Sequence, residues 1–188
     1  GLILTGGGAR AAYQVGVLKA VAQIRRETAK WARRNPFPVI TGTSAGAMNA
    51  AVLADGFAQG GAAGARAALD RYWRYVSEAA RFSPFQRSPL DRVMGRWTLD
   101  HSPLFVTMDV MSRLFSPYDL NPRGSNPLRG ILEKLINFER LKDVPIKLFI
   151  SATNVRTGRV RVFRNAEITP DVLLASACLP TLFQAIEI

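Results

Sequence analysis

The apolar positions along the chain switch between two periods, and the switches mark its elements. Gly1-Leu2-Ile3-Leu4-Thr5 is a short continuous apolar run, the pattern of a buried strand. From about Ala11 to Arg34, Tyr13, Val17, Ala20, Val21 and Ile24 recur at helical spacing and predict the inward face of a long helix. Asn35-Pro36 stops that helix, and Phe37 to Thr41 reads as a second strand. Ala45 to about Leu53 reads as a second helix, broken by Asp55-Gly56 and then by Gly60-Gly61-Ala62-Ala63-Gly64. A third helix, from Ala65 to about Ala80, carries Leu69, Tyr72, Trp73 and Val76. The opening is therefore β–loop–α–β–loop–α, a parallel unit that brings two loops to one sheet edge.

Residues 82–126 break the regularity with Pro84, Pro89, Pro103, Pro117 and Pro122, yet are rich in Phe, Trp, Met and Leu. Phe105, Met108, Met111 or Ser112, and Phe115 share one helical face. Core packing is the default for these groups, and a lid-like insertion or acyl-chain wall is the alternative for a stretch this irregular. Asn126-Pro127 is a helix start running to about Phe138. Val144 to Asn154 reads as a buried strand. Arg159 to Arg164 reads as a strand with one basic face, entered through the Thr157-Gly158 turn. Pro170 to Cys178 is a short helix, and Gln184 to Ile188 reads as the start of another strand. No repeat or linker divides residues 1–188, which are read as a single domain; the chain is expected to continue past Ile188.

Composition narrows the class. The chain of 188 residues is long enough for one domain with a sizeable core. A net charge of +11, with Arg far outnumbering Lys, favours anionic partners: a phospholipid surface, an acidic substrate or nucleic acid. No nucleic-acid module or interleaved basic–aromatic strand is present, so no nucleic-acid partner is expected. The single cysteine, Cys178, cannot form an intrachain disulfide and reads as a buried structural thiol. No apolar run is long enough to span a bilayer and no signal peptide is visible, so a cytoplasmic protein with peripheral membrane contact is expected.

The candidate chemistry lies in the two loops. Val39-Ile40-Thr41-Gly42-Thr43-Ser44-Ala45-Gly46 has the G-x-S-x-G pattern between a strand and a helix. A serine on such a turn is lifted clear of the sheet, Gly42 and Gly46 leave room for the tight backbone, and the helix N–H groups favour negative charge nearby. The plain alternative is a strand-to-helix turn with a serine N-cap. Gly6-Gly7-Gly8-Ala9-Arg10-Ala11 loosely fits the G-x-G-x-x-A of a dinucleotide loop, but the second strand ends without the acidic residue that would hold a ribose. It also lacks the Gly-Lys-Ser/Thr ending of a phosphate loop. As an oxyanion hole, a glycine run lets N–H groups face an oxyanion unobstructed. A Ser-His-Asp triad is hard to assemble. The sole histidine, His101, lies in the irregular stretch, and Ser44 comes after too few strands for an α/β-hydrolase.

Together these motifs resemble the patatin-like phospholipases. Gly6-Gly7-Gly8-Ala9-Arg10 resembles the family's oxyanion loop, Gly42-Thr43-Ser44-Ala45-Gly46 its nucleophile motif, and Ala175 to Phe183 the segment shortly before its catalytic aspartate. Asn126-Pro127-Leu128 is similar to a helix start in such proteins, so the resemblance covers most of the chain. Ala11 replaces a frequent glycine, and the chain stops at Ile188 before any matching Asp-Gly.

The resemblance implies a three-layer α/β/α fold with a central, mostly parallel sheet. It implies a serine lipid acyl hydrolase, of phospholipase A or lysophospholipase type, working through a Ser-Asp dyad without metal or cofactor. Ser44 is the implied nucleophile and its partner an Asp beyond Ile188. Gly6, Gly7, Gly8 and Ala45 form the implied oxyanion hole, supported by Arg10, Gly42 and Gly46. Arg10 braces the loop or meets a phosphate, or else makes a structural salt bridge. The implied partner is a phospholipid or other acyl-ester lipid, with peripheral contact to an anionic membrane. A catalytically inactive lipid- or membrane-binding relative is the alternative. Asp55-Gly56 is a decoy. It lies about eleven residues into the helix that starts at Ser44, roughly 16 Å away at ~1.5 Å per residue, and is expected to be a helix-end or turn residue.

Overall fold

A computed structural model describes residues 1–8, 10–28, 36–82, 93–95 and 103–188. Strands β1 (Leu2–Leu4), β2 (Val39–Thr43) and β3 (Lys147–Thr153) are parallel neighbours, and β4 (Val160–Arg164) closes the sheet antiparallel to β3, in the order β1-β2-β3-β4. Helices flank this mostly parallel sheet, in keeping with the expected three-layer α/β/α arrangement. They are α1 (Arg10–Thr28), α2 (Ala45–Ala79), α3 (Pro103–Leu114), α4 (Pro117–Leu120), α5 (Pro127–Leu135), α6 (Phe138–Lys142) and α7 (Pro170–Ser176).

Register explains the core. Leu4, Gly42, Ile150 and Phe163 align across the four strands, with Ile40 beside Leu148 one step back. These residues are buried, because successive strand residues point to opposite faces. Leu132, Leu141, Leu173 and Leu174 join the same core from α5, α6 and α7.

Several sequence expectations change. Helix α1 does not turn Tyr13, Val17 and Ile24 inward; all three are exposed, while Ala11 and Val15 are buried and Leu18 and Ala22 half-buried. The Asn49 amide donates to the Ala11 carbonyl at 2.9 Å, fixing which side of α1 meets α2. The second helix does not end near Leu53. It continues through a buried Gly56 and departs from helical geometry only at Gly60 and Gly61, where Gly61 takes φ 59. There the helix folds back on itself: a Cβ on Gly56 would stand 2.7 Å from the Gly64 carbonyl oxygen and 2.6 Å from the Ala68 Cβ. Gly56 is thus a packing glycine, not a breaker.

Asn126 caps α5 as expected, accepting from the Leu128 N–H at 3.0 Å, but the helix stops at Leu135 and Asn137 caps α6. Gln184 to Ile188 adds no strand. On β4 the supposed basic face is partly apolar: Phe163 is buried on the side of Arg161, whose guanidinium lies 4.5 Å from the Phe163 ring centre. Within 82–126, the described groups Met111, Leu114 and Phe115 are exposed rather than packed in the core. The Phe105 and Met108 side chains, and Phe85, Trp97 and His101, lie outside the described residues.

Candidate functional site

The turn from β2 into α2 is built around absent side chains. A Cβ on Gly42 would fall 2.7 Å from the Ala47 Cα, and one on Gly46 would fall 2.6 Å from the Thr5 carbonyl oxygen. The first turn of α2 therefore rests directly on the end of β1. Between the glycines, Ser44 takes φ 56 and ψ −129, the one positive-φ residue other than glycine among the described residues. An ordinary serine N-cap has extended backbone, and its hydroxyl oxygen accepts from a helix N–H. Ser44 has neither feature: its side chain makes no capping bond, and only its carbonyl accepts, from Ala47 N–H at 2.9 Å and Met48 N–H at 3.3 Å. Such a conformation costs on the order of 1–3 kcal/mol and persists only where the surroundings enforce it.

The glycine loop lies against this serine. A Cβ on Gly6 would be 3.0 Å from the Ser44 Cβ and 3.7 Å from its Oγ, so the loop approaches closely only because Gly6 has no side chain. Gly7 at φ 136 and Gly8 at φ 54 hold left-handed backbone that a β-branched residue resists. Their carbonyls accept from Arg10 and Ala11 N–H at 3.1 and 3.0 Å, starting α1. The Arg10 side chain folds back over Gly7, stays exposed and forms no ion pair among the described residues.

A comparison with family models places these features in context. The model for patatin-like phospholipases matches residues 2–188. The chain belongs to the patatin-like phospholipase family. Comparison with curated proteins and with solved structures returned no match.

In this patatin-like chain the two loops are held by polar residues that sequence patterning did not single out. The Gln14 amide donates to the carbonyl and hydroxyl oxygens of Thr5, at 2.9 and 3.1 Å, tying α1 to the end of β1. Asn49, fully buried, donates to Ala11 and accepts from the Trp73 indole N–H at 2.9 Å. A lone amide in the otherwise apolar run from Ala45 to Leu53 was the available signal. Thr43 and Ser151 hydroxyls meet at 2.6 Å between β2 and β3. The Ser44 N–H donates to Ser176 Oγ at 2.8 Å, which brings the Ala175–Phe183 segment onto the turn.

Asp55 is not brought to the site. It is neither at a helix end nor in a turn, but buried inside α2, where it accepts from Arg140 Nε at 2.7 Å and Gln59 Nε2 at 2.8 Å. A cavity of about 600 Å³ opens beside the end of β3 and α7, among Thr153, Arg161, Phe163, Ala175 and Cys178, and Ser44 is not among its walls. Cys178 is half-buried on the cavity wall rather than fully buried as expected, and that partial burial pushes its thiol above its ordinary range. No helix among the described residues is long and apolar enough to cross a membrane.

Proposed function

We propose that this patatin-like chain is a serine lipid acyl hydrolase, of phospholipase A or lysophospholipase type, with Ser44 as its nucleophile. The observation that carries the reading is the Ser44 backbone. A serine at a helix start is held at φ 56, its hydroxyl is not used as a cap, and Gly6 lies against its side chain.

Ser44 Oγ attacks the ester carbonyl carbon while its proton passes to a carboxylate. The base is an aspartate followed by glycine, C-terminal to Ile188; the family resemblance of the Ala175–Phe183 segment supports it, and Asp55 is engaged with Arg140. Backbone N–H groups of Gly7, Gly8 and Ala45 hold the oxyanion, and Gly6 makes the space for it. The Ala45 N–H suits this role because the first N–H groups of a helix have no carbonyl partner within it. The tetrahedral intermediate collapses, the alcohol leaves with the proton, and water cleaves the acyl–Ser44 ester. Arg10 braces the loop at Gly7.

Docking on an anionic interface is part of the same reading. Val106, Val110, Met111 and Leu114 are exposed along α3 and Phe115 just beyond its end, and the whole chain carries +11. The test is fatty-acid release from phospholipid in mixed micelles by the full chain. Release that disappears in Ser44→Ala is expected. Lipid binding with no release, by wild type and variant alike, would instead establish the inactive lipid-binding relative.

A further inference from the structure

We propose that Ser176 is the positioning residue that holds the Ser44 peptide in its strained geometry; this rests on Ser44 being the nucleophile. Three observations on different elements converge on it.

The first is the bond itself. Thr43 is the last residue of β2, so the next N–H has left the strand ladder, and Ser176 Oγ accepts it at 2.8 Å across 132 residues of sequence. Among the described residues it is the side chain that bonds the Ser44 backbone; the carbonyl is taken by Ala47 and Met48 N–H groups of α2 itself.

The second is where the acceptor comes from. Ser176 ends α7, whose Val172, Leu173 and Leu174 are buried and whose start is capped by Thr169 Oγ1, accepting from Val172 N–H at 3.3 Å. Asp171 of the same helix pairs with Arg129 of α5. The hydroxyl is therefore offered by a packed helix end rather than by a loose loop.

The third is the conformation. At φ 56, Ser44 relieves strain by rotating towards ordinary backbone, and nothing on its own residue opposes this because its side chain makes no cap. The Ser176 bond fixes the peptide plane before Ser44. Together with the α2 bonds to its carbonyl, it sets both the direction of the Ser44 Cβ and the aim of the Ala45 N–H. The Thr43–Ser151 hydroxyl pair at 2.6 Å steadies the adjacent residue from β3. Ser176 thus acts through Ser44 and touches no reacting atom.

The experiment compares the full-length wild type with Ser176→Ala, Ser176→Thr and Ser176→Cys. It reads kcat and KM for an acyl ester, the rate of fluorophosphonate labelling and the melting temperature. Loss of an acceptor for a part-buried N–H is expected to lower kcat by about tenfold to a hundredfold in Ser176→Ala. KM stays near wild type, the melting temperature falls by only a few degrees so that the protein remains folded at the assay temperature, and labelling slows in proportion to kcat. Ser176→Thr keeps the oxygen and restores most of the rate, and Ser176→Cys, a weak acceptor of similar size, falls between. If Ser176→Ala does not fold, the Thr–Cys comparison decides on the same criterion. Wild-type kcat and labelling in the folded Ala or Cys variant overturns the proposal alone. A wild type that neither hydrolyses esters nor labels overturns the reading of Ser44, and this proposal with it.

Discussion

Asp55 and Arg140 meet at 2.7 Å with the carboxylate 1% exposed and the guanidinium side chain 37% exposed, an ion pair that ties the middle of α2 to α6. Its two partners lie 85 residues apart, and Gln59 completes the carboxylate from one helical turn away. An Asp-Gly pair that reads as a catalytic signature is here a packing device.

Removing that carboxylate strands a cation against the core. Breaking a fully buried pair costs about 3–5 kcal/mol, but Arg140 keeps access to water, so Asp55→Ala should cost less, about 1–3 kcal/mol. Urea denaturation should show that loss. The folded fraction, counted by active-site titration, should keep wild-type turnover per molecule. Loss of turnover with unchanged stability would make Asp55 part of the chemistry.

Gly8 has open space around it, since a Cβ there would meet nothing within 4 Å, yet its φ of 54 resists a branched side chain. Gly8→Val should therefore move the loop backbone more than it disturbs packing. The expected effect is the loss of one oxyanion donor, about 2.7–4 kcal/mol, or about a hundredfold to a thousandfold in kcat. Steady-state kinetics beside a melting curve checks it; equal activity would mean that the loop does not serve Ser44.

The neutral thiol of Cys178 is favoured by burial, which raises its pKa. A raised folded value means that this contribution to stability is complete below the unfolded thiol pKa, about 8.5, and is lost as pH rises through the folded one. Alkylation by iodoacetamide should accordingly rise at higher pH in the native protein than in the urea-unfolded chain. Coincident pH–rate profiles would contradict this.

The net charge of +11, together with the exposed apolar face of α3, predicts a salt-sensitive interaction with lipid. Binding to phosphatidylserine-containing vesicles should exceed binding to phosphatidylcholine vesicles and weaken as salt is added, because exposed charges are screened within ~8 Å at physiological ionic strength. Leu114→Asp, at a position 69% exposed, should fold normally and bind less. Equal, salt-independent binding to both vesicle types would count against electrostatic docking, and unchanged binding by Leu114→Asp would count against this face.

The sequence showed the four strands of the sheet, though it added one at Gln184 to Ile188 that does not form, and it showed the two loops and their meeting at one sheet edge, because these follow from apolar runs and glycine placement. It misjudged what depends on partners far along the chain. The inward face of α1 is chosen by the Asn49–Ala11 bond and not by the larger apolar groups Tyr13 and Ile24. Gly56 breaks a helix by propensity, but here it lets two helical segments touch. Ser176 carries no local signal, since its importance comes from a bond to Ser44 across the whole domain.

The most direct measurement is mass-spectrometric mapping of the adduct formed when the full-length protein meets a fluorophosphonate probe. A nucleophilic serine on this turn predicts a single adduct on the peptide containing Ser44, absent in Ser44→Ala, with ester hydrolysis lost in the same variant. An adduct on another residue, or hydrolysis that survives in Ser44→Ala, would contradict it.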